Sequence, residues 1–139
     1  MSRILVAVSS PLASERVVTP LADLAKRLAA DVLVVHVTRP STGATTGGRD
    51  GADGEQAVRL LGDKIRAQGV AVQTLLMFSD DVAQAILNTA VEREATLLVL
   101  GLTGKNVFAR LIAGNVPVEL IRETRIPVML LPPDFRGTI

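Results

Sequence analysis

The stretch ATLLVLGLTGKNVFARLIAGN, residues 95–115, joins an unbroken apolar run to a segment with glycines at positions 101, 104 and 114. An apolar run without polar alternation is typical of a strand that is buried on both faces of a parallel sheet. The strand that ends near Gly101 is predicted to be one of five. The other four apolar runs are ILVAV (4–8), VLVVHV (32–37), VAVQTLLM (70–77) and IPVMLL (126–131).

Amphipathic segments separate these runs and predict four helices. The alternation predicts one domain over residues 1–139, an α/β fold with helices on both faces of a doubly wound, Rossmann-like parallel sheet. Residues 41–54 carry five glycines and no large apolar side chain, which predicts a flexible loop. Ser79 is predicted to cap the third helix. The helices are expected over about 14–30, 55–68, 80–94 and 115–124.

Composition excludes several classes of function. The net charge of +1 and the three aromatic residues, all Phe, give no basis for binding nucleic acid. The chain has no cysteine, which excludes disulfides and thiolate chemistry. No run approaches the roughly 20 apolar residues that would span a bilayer, and the first run is too short for a signal peptide. We therefore expect a cytoplasmic protein that does not insert into membranes.

The order of the strands predicts where a ligand would bind. If strand 1 is central, with strands 2 and 3 on one side and strands 4 and 5 on the other, the order reverses between strands 1 and 4. Ligands of doubly wound sheets bind beyond the carboxyl ends of the strands at such a reversal. The two loops that meet there are residues 9–14 and 101–115.

The glycines of the second loop fit an anion site. Gly101 and Gly104 would let the backbone expose its N–H groups to a ligand, and Gly114 precedes a helix whose first N–H groups are free. Lys105 and Arg110 add positive charge. Glycines that serve only tight turns explain the same spacing equally well. The loop is neither a Walker A sequence nor a GxGxxG sequence.

Three blocks of the chain together resemble the universal stress protein family. They are RILVAV (3–8), SERVVTPLADLAKRLAADVLVVHV (14–37) and LLVLGLTGKNVFARLIAGNVPVELIRETRIPVMLLP (97–132). The most specific element is G-x2-G-x9-G, the phosphate loop of the ATP-binding branch, which Gly101, Gly104 and Gly114 match. The resemblance implies the strand order 3-2-1-4-5. It also implies a stress-response sensor or switch that binds an adenine nucleotide, ATP or AMP.

The resemblance also implies which residues bind. The adenine would lie near the ends of strands 1 and 2, and the phosphates would lie on the glycine loop. A homodimer would form through the last strand, which would cover an apolar edge that otherwise favours aggregation. The implied nucleotide-binding residues are Val8, Ser9, Ser10, Val37, Met77, Gly101, Thr103, Gly104, Lys105, Arg110, Gly114, Asn115 and Val116. The implied dimer residues are Ile126, Val128, Met129 and Leu130.

Three positions depart from the pattern of ATP-binding relatives. Ser9 stands where an Asp usually holds the nucleoside, Asn115 replaces a phosphate-binding hydroxyl, and Pro117 replaces a second hydroxyl and removes a backbone N–H. Each lost hydrogen bond would cost about 0.5–1.5 kcal/mol. The alternative is therefore a dimeric protein-interaction module of the same family that binds no nucleotide. Neither loop offers a general base, so at most weak ATP hydrolysis is expected.

The remaining candidate residues have two interpretations each. His36, the single histidine, ends strand 2 beside the predicted cleft, but a packed or hydrogen-bonded strand end explains it better. Asp80 and Asp81 could suggest magnesium, although stabilising a helix N-terminus is the better explanation. No metal ligands are assigned. Met77 could line an adenine pocket or belong to the core.

Overall fold

The computed structural model describes residues 1–8, 11–38, 47–101, 116–132, 135 and 137–139. Within these residues five strands alternate with four helices. The strands are β1 (Ser2–Ala7), β2 (Ala30–Thr38), β3 (Val72–Phe78), β4 (Leu97–Gly101) and β5 (Val128–Leu131). The helices are α1 (Pro11–Leu28), α2 (Gly47–Ala67), α3 (Val82–Glu92) and α4 (Val116–Glu123).

The five strands form one parallel sheet in the order β3-β2-β1-β4-β5. This order confirms the predicted doubly wound fold. β1 is central: its Ala7 pairs with Val35 of β2 on one side and with Leu100 of β4 on the other. The order reverses between β1 and β4, so the carboxyl ends of these two strands lie side by side at the edge where the ligand is predicted.

Side chains that alternate along the strands fill two cores. On one face, Ile4 and Val6 of β1 pack with residues of α1 and α2. On the other, Leu5 packs with Leu98 of β4 and with α3. Leu5 and Leu98 are fully buried, and burying each such side chain contributes about 1.5–3 kcal/mol. Near the end of the chain, Phe135 and Ile139 pack against the first core.

Helix α2 corrects the loop predicted over residues 41–54. The helix begins at Gly47 and runs to Ala67, so residues 47–54 are helical, and residues 41–46 lie outside the described part of the chain. The glycine content misled the prediction because Gly54 serves close packing rather than flexibility. Gly54 is buried, and a Cβ atom there would overlap the ring of His36 on β2. The helix ends as predicted, with Gly69 in the left-handed region at φ 88°.

The start of α3 corrects the predicted cap. Asp81, rather than Ser79, is the N-cap: its Oδ1 accepts a hydrogen bond from the Gln84 N–H at 3.1 Å. The Ser79 hydroxyl instead closes a turn, accepting from the Asp81 N–H at 3.1 Å. A serine two residues before the cap and an aspartate at the cap are both common at helix starts, which explains the confusion.

The amino-terminal ends of the strands are tied together by Arg3. Its Nε and Nη2 both lie 2.9 Å from Asp31 Oδ2, and its Nη1 donates to the Arg93 carbonyl oxygen at 2.5 Å. The hydrogen bond to Asp31 raises the pKa of Arg3, and burial partly opposes this effect. Because the pKa is raised, the contribution of Arg3 to stability is complete at neutral pH.

Among the residues described, none of the helices has the length and apolar character needed to cross a membrane.

Candidate functional site

The carboxyl ends of β1 and β4 bring two predicted binding residues together. Ala7 and Leu100 are the last paired residues of these strands. Val8 follows Ala7 just beyond β1, and Gly101 follows Leu100 as the last residue of β4, so the two strands end within one residue of each other. The Val8 N–H donates to the Val35 carbonyl oxygen at 3.0 Å, which holds the end of β1 against β2. The exits of these strands therefore border the strand-order reversal.

Val37 and Met77 form a second pair at this edge. They are paired residues of β2 and β3, and both side chains pack on the face covered by α3. The Met77 sulfur lies 3.1 Å from the hydroxyl of the buried Thr89 on α3. This contact accounts for Met77 as a core residue. The half-buried Val37 beside it is adjacent to the predicted cleft.

Val8 lies on the opposite face from Val37. Its side chain packs with the core under α1 and α2, and its backbone oxygen accepts a hydrogen bond from His36 Nδ1 at 2.8 Å. A carbonyl oxygen can only accept, so Nδ1 carries the proton in this bond. His36 is 8% exposed, which confirms the interpretation of a buried, hydrogen-bonded strand-end residue.

The sequence did not reveal the partner on the other side of the His36 ring. Gly54 of α2 stands where any larger residue would overlap ring atoms Cγ, Cδ2 and Nε2. Nε2 is buried and has no hydrogen-bond partner among the described residues. The only signal was the glycine-rich composition around position 54, which also fitted a loop.

Most of the predicted phosphate-binding residues lie outside the described part of the chain. These are Ser9, Ser10, Thr103, Gly104, Lys105, Arg110, Gly114 and Asn115. Helix α4 begins directly after them, with Val116 as its first residue and Pro117 as its second. Pro117 thus occupies a first-turn position, where the missing backbone N–H costs no intrahelical hydrogen bond.

A groove of about 330 Å³ lies at the other end of the sheet, between the end of α3 and the turn before β5. It is lined by Leu87, Val91 and Ile126 and edged by Glu94, Glu123 and Arg125. Because it borders the segments that lead into β4 and β5, it is separate from the carboxyl edge.

The described residues contain no cluster of His, Asp or Glu side chains able to hold a metal ion. In particular, Asp81 is engaged as the cap of α3, in accord with its predicted role at a helix N-terminus.

The fold and the position of the reversal match a known group of proteins. The model of the universal stress protein family matches residues 1–132. The chain belongs to the universal stress protein family. Among curated relatives, the sensor protein KdpD of Mycobacterium tuberculosis (strain CDC 1551 / Oshkosh) is 30% identical over 122 residues, which is 88% of this chain. The match spans 13% of the length of KdpD.

Solved universal stress protein structures share the fold. The protein from Archaeoglobus fulgidus in complex with dAMP is 23% identical, with a TM-score of 0.70 over 94% of this chain and 97% of that one. A universal stress protein in complex with cAMP is 21% identical, with a TM-score of 0.73 over 94% and 96%.

Proposed function

We propose that this universal stress protein binds an adenine nucleotide at the carboxyl ends of β1, β2 and β4. The observation that carries the proposal is the side-by-side exit of β1 and β4 at the reversal of strand order, at Val8 and Gly101. A ligand there would meet the backbone of both loops at once. The relatives solved with dAMP and with cAMP support an adenine nucleotide as the class of ligand.

The glycine loop would hold the phosphates. Gly101 and Gly104 would present backbone N–H groups, and the start of α4 would add the free N–H groups of a helix terminus. Lys105 or Arg110 would neutralise the phosphate charge. The adenine would lie near Val8 and Val37, and ATP or AMP would fill the site.

Binding is expected to be weaker than in a relative with the complete motif. Ser9, Asn115 and Pro117 each remove one polar partner, at about 0.5–1.5 kcal/mol per hydrogen bond. The Asn115 amide could replace part of this by donating to a phosphate oxygen. These substitutions favour the alternative function, a dimeric protein-interaction module without nucleotide.

Thermal unfolding distinguishes the two functions. A nucleotide at 100 times its dissociation constant stabilises the fold by about 2.7 kcal/mol. For a chain of this length we expect the melting temperature to rise by about 8 °C. Nucleotide-free protein would be tested with millimolar ATP, ADP, AMP and cAMP, with Gly104→Leu as the variant that blocks the loop. An unchanged melting temperature with all four ligands would support the interaction module instead.

The homodimer is proposed to form through β5. This strand pairs with β4 on one side, and no described strand pairs with its other side. Val128, Met129 and Leu130 are all partly exposed there, and Ile126 precedes them in the turn closed by Thr124. Pairing with a second copy would satisfy the free backbone groups of this edge. The Leu98 N–H donates to the Pro127 oxygen and Leu98 pairs with Val128, so the Val128 N–H points away from β4. We expect a dimer in analytical ultracentrifugation and a monomer after Val128→Pro, which removes this outward-facing backbone donor.

The output of binding is proposed to be that of a stress-response sensor or switch. The similarity to a segment of the sensor protein KdpD supports this role. Nucleotide occupancy would then change a surface that a protein partner recognises.

A further inference from the structure

We infer that His36 is a positioning residue for the nucleotide site, and that it couples the packing of α2 at Gly54 to the end of β1 at Val8. The inference rests on the proposed nucleotide function for its ligand, but the coupling itself concerns contacts within the chain.

The first contact is the hydrogen bond from His36 Nδ1 to the Val8 carbonyl oxygen at 2.8 Å. Val8 is the last described residue before the first loop of the site. The bond fixes the orientation of the peptide unit that joins Val8 to Ser9, because the carbonyl carbon and the next nitrogen lie in one plane. His36 therefore sets the direction in which the chain leaves β1.

The second contact fixes the ring of His36. Gly54 approaches the ring so closely that a Cβ atom would overlap three of its atoms. The ring is 8% exposed, and Nε2 makes no hydrogen bond within the described residues. Within the described residues, van der Waals packing against α2 therefore holds the imidazole in place, and no polar partner on Nε2 contributes.

Both contacts are made by the rigid imidazole ring of His36. If α2 shifts at Gly54, the imidazole can rotate and the bond to Val8 is lost. If a ligand holds Val8 in place, the same bond is strengthened and α2 is held more firmly. Such coupling is reciprocal, so each event favours the other to the same extent.

Paired variants of His36 separate positioning from packing. His36→Leu keeps an apolar group of similar size but removes the donor to Val8, whereas His36→Asn keeps a nitrogen donor at the position of Nδ1. We expect AMP to bind His36→Leu about tenfold more weakly than the wild type, and His36→Asn within about threefold. A residue needed only for packing would give the opposite order, because Leu fills the buried site better than Asn.

A second pair of variants tests the link to α2. Gly54→Ala places a methyl group against the ring, whereas Gly62→Ala introduces the same change on the same helix against Thr74. Hydrogen exchange is measured without ligand. Gly54→Ala and His36→Leu should both accelerate exchange of the Val8 amide, which is bonded to Val35, by more than their loss of global stability explains, whereas Gly62→Ala should accelerate it by no more than its own loss of global stability explains.

The two readouts fail separately. Equal AMP affinity of the wild type and His36→Leu would overturn the positioning role. Unchanged exchange at Val8 in Gly54→Ala would overturn the coupling to α2. Absence of binding of both AMP and ATP by the wild type would overturn the proposed function and the positioning role with it, while the exchange data would still decide the coupling.

Discussion

Gly54 and Gly62 of α2 both stand where a Cβ atom would overlap a neighbouring side chain, and Gly62 offers a direct test of this packing. Gly62 is buried against β3, and a Cβ atom there would lie 2.7 Å from Thr74 Cγ2 and 3.7 Å from Val72 Cγ1. The second distance is an ordinary contact. The first is about 1 Å shorter than the preferred separation of two carbon atoms, so one side chain or the helix must move.

Two effects of Gly62→Ala oppose each other. Overpacking costs about 1–3 kcal/mol, and replacing glycine by alanine inside a helix gains about 1 kcal/mol. We therefore expect a net loss of about 1 kcal/mol in the free energy of unfolding. Thr74→Ser removes the Cγ2 atom that causes the overlap. In the Thr74→Ser background, Gly62→Ala should become stabilising by about 0.5–1 kcal/mol.

Urea denaturation of the four proteins measures this coupling as a double-mutant cycle. We expect a coupling free energy of about 1.5–2 kcal/mol between the two positions. If Gly62→Ala stabilised the protein equally in both backgrounds, the glycine would not be required for close packing.

Three further substitutions test the ends of the helices and strands, each by urea denaturation. Asp81→Ala should lose about 1 kcal/mol by removing the cap of α3, whereas Asp80→Ala should change stability by less than about 0.5 kcal/mol. Glu94 follows α3 with φ 56°, so Glu94→Gly should gain about 0.5–1 kcal/mol, and Glu94→Ala, which keeps the strain, should gain nothing. Arg3→Lys should lower the free energy of unfolding by about 1 kcal/mol, because lysine keeps the charge but cannot bond to Asp31 and the Arg93 carbonyl together. Equal stability of this variant and the wild type would show that charge alone is sufficient.

The fold class was predictable because the periodicity of the apolar residues identifies the strands and helices and their alternation. Continuous apolar runs such as ILVAV identify strands that are buried on both faces, and the alternation with amphipathic segments leaves few topologies. The strand order 3-2-1-4-5 was implied by the family resemblance and is confirmed. Its reversal predicts a ligand site at one edge of the sheet without any side-chain information.

The packing of individual residues was not predictable in this way. A glycine in sequence is compatible with a flexible loop, a positive φ or a close approach, and only the position of Gly54 against His36 distinguishes them. The same holds for Met77, whose sulfur contact with Thr89 depends on how α3 lies on the sheet. The first residue of a helix is ambiguous in sequence where two possible caps lie close together, as Ser79 and Asp81 do.

The central claim is that an adenine nucleotide binds at the carboxyl edge of the sheet, and amide NMR spectra recorded during an AMP titration test it most directly. We expect the resonances of Val8, Val37 and Gly101 to shift with a common dissociation constant. Those of Ser2, Ala30 and Thr96, at the opposite end of the strands, should stay in place. Shifts confined to that opposite end, or no shifts at millimolar AMP, would contradict the claim.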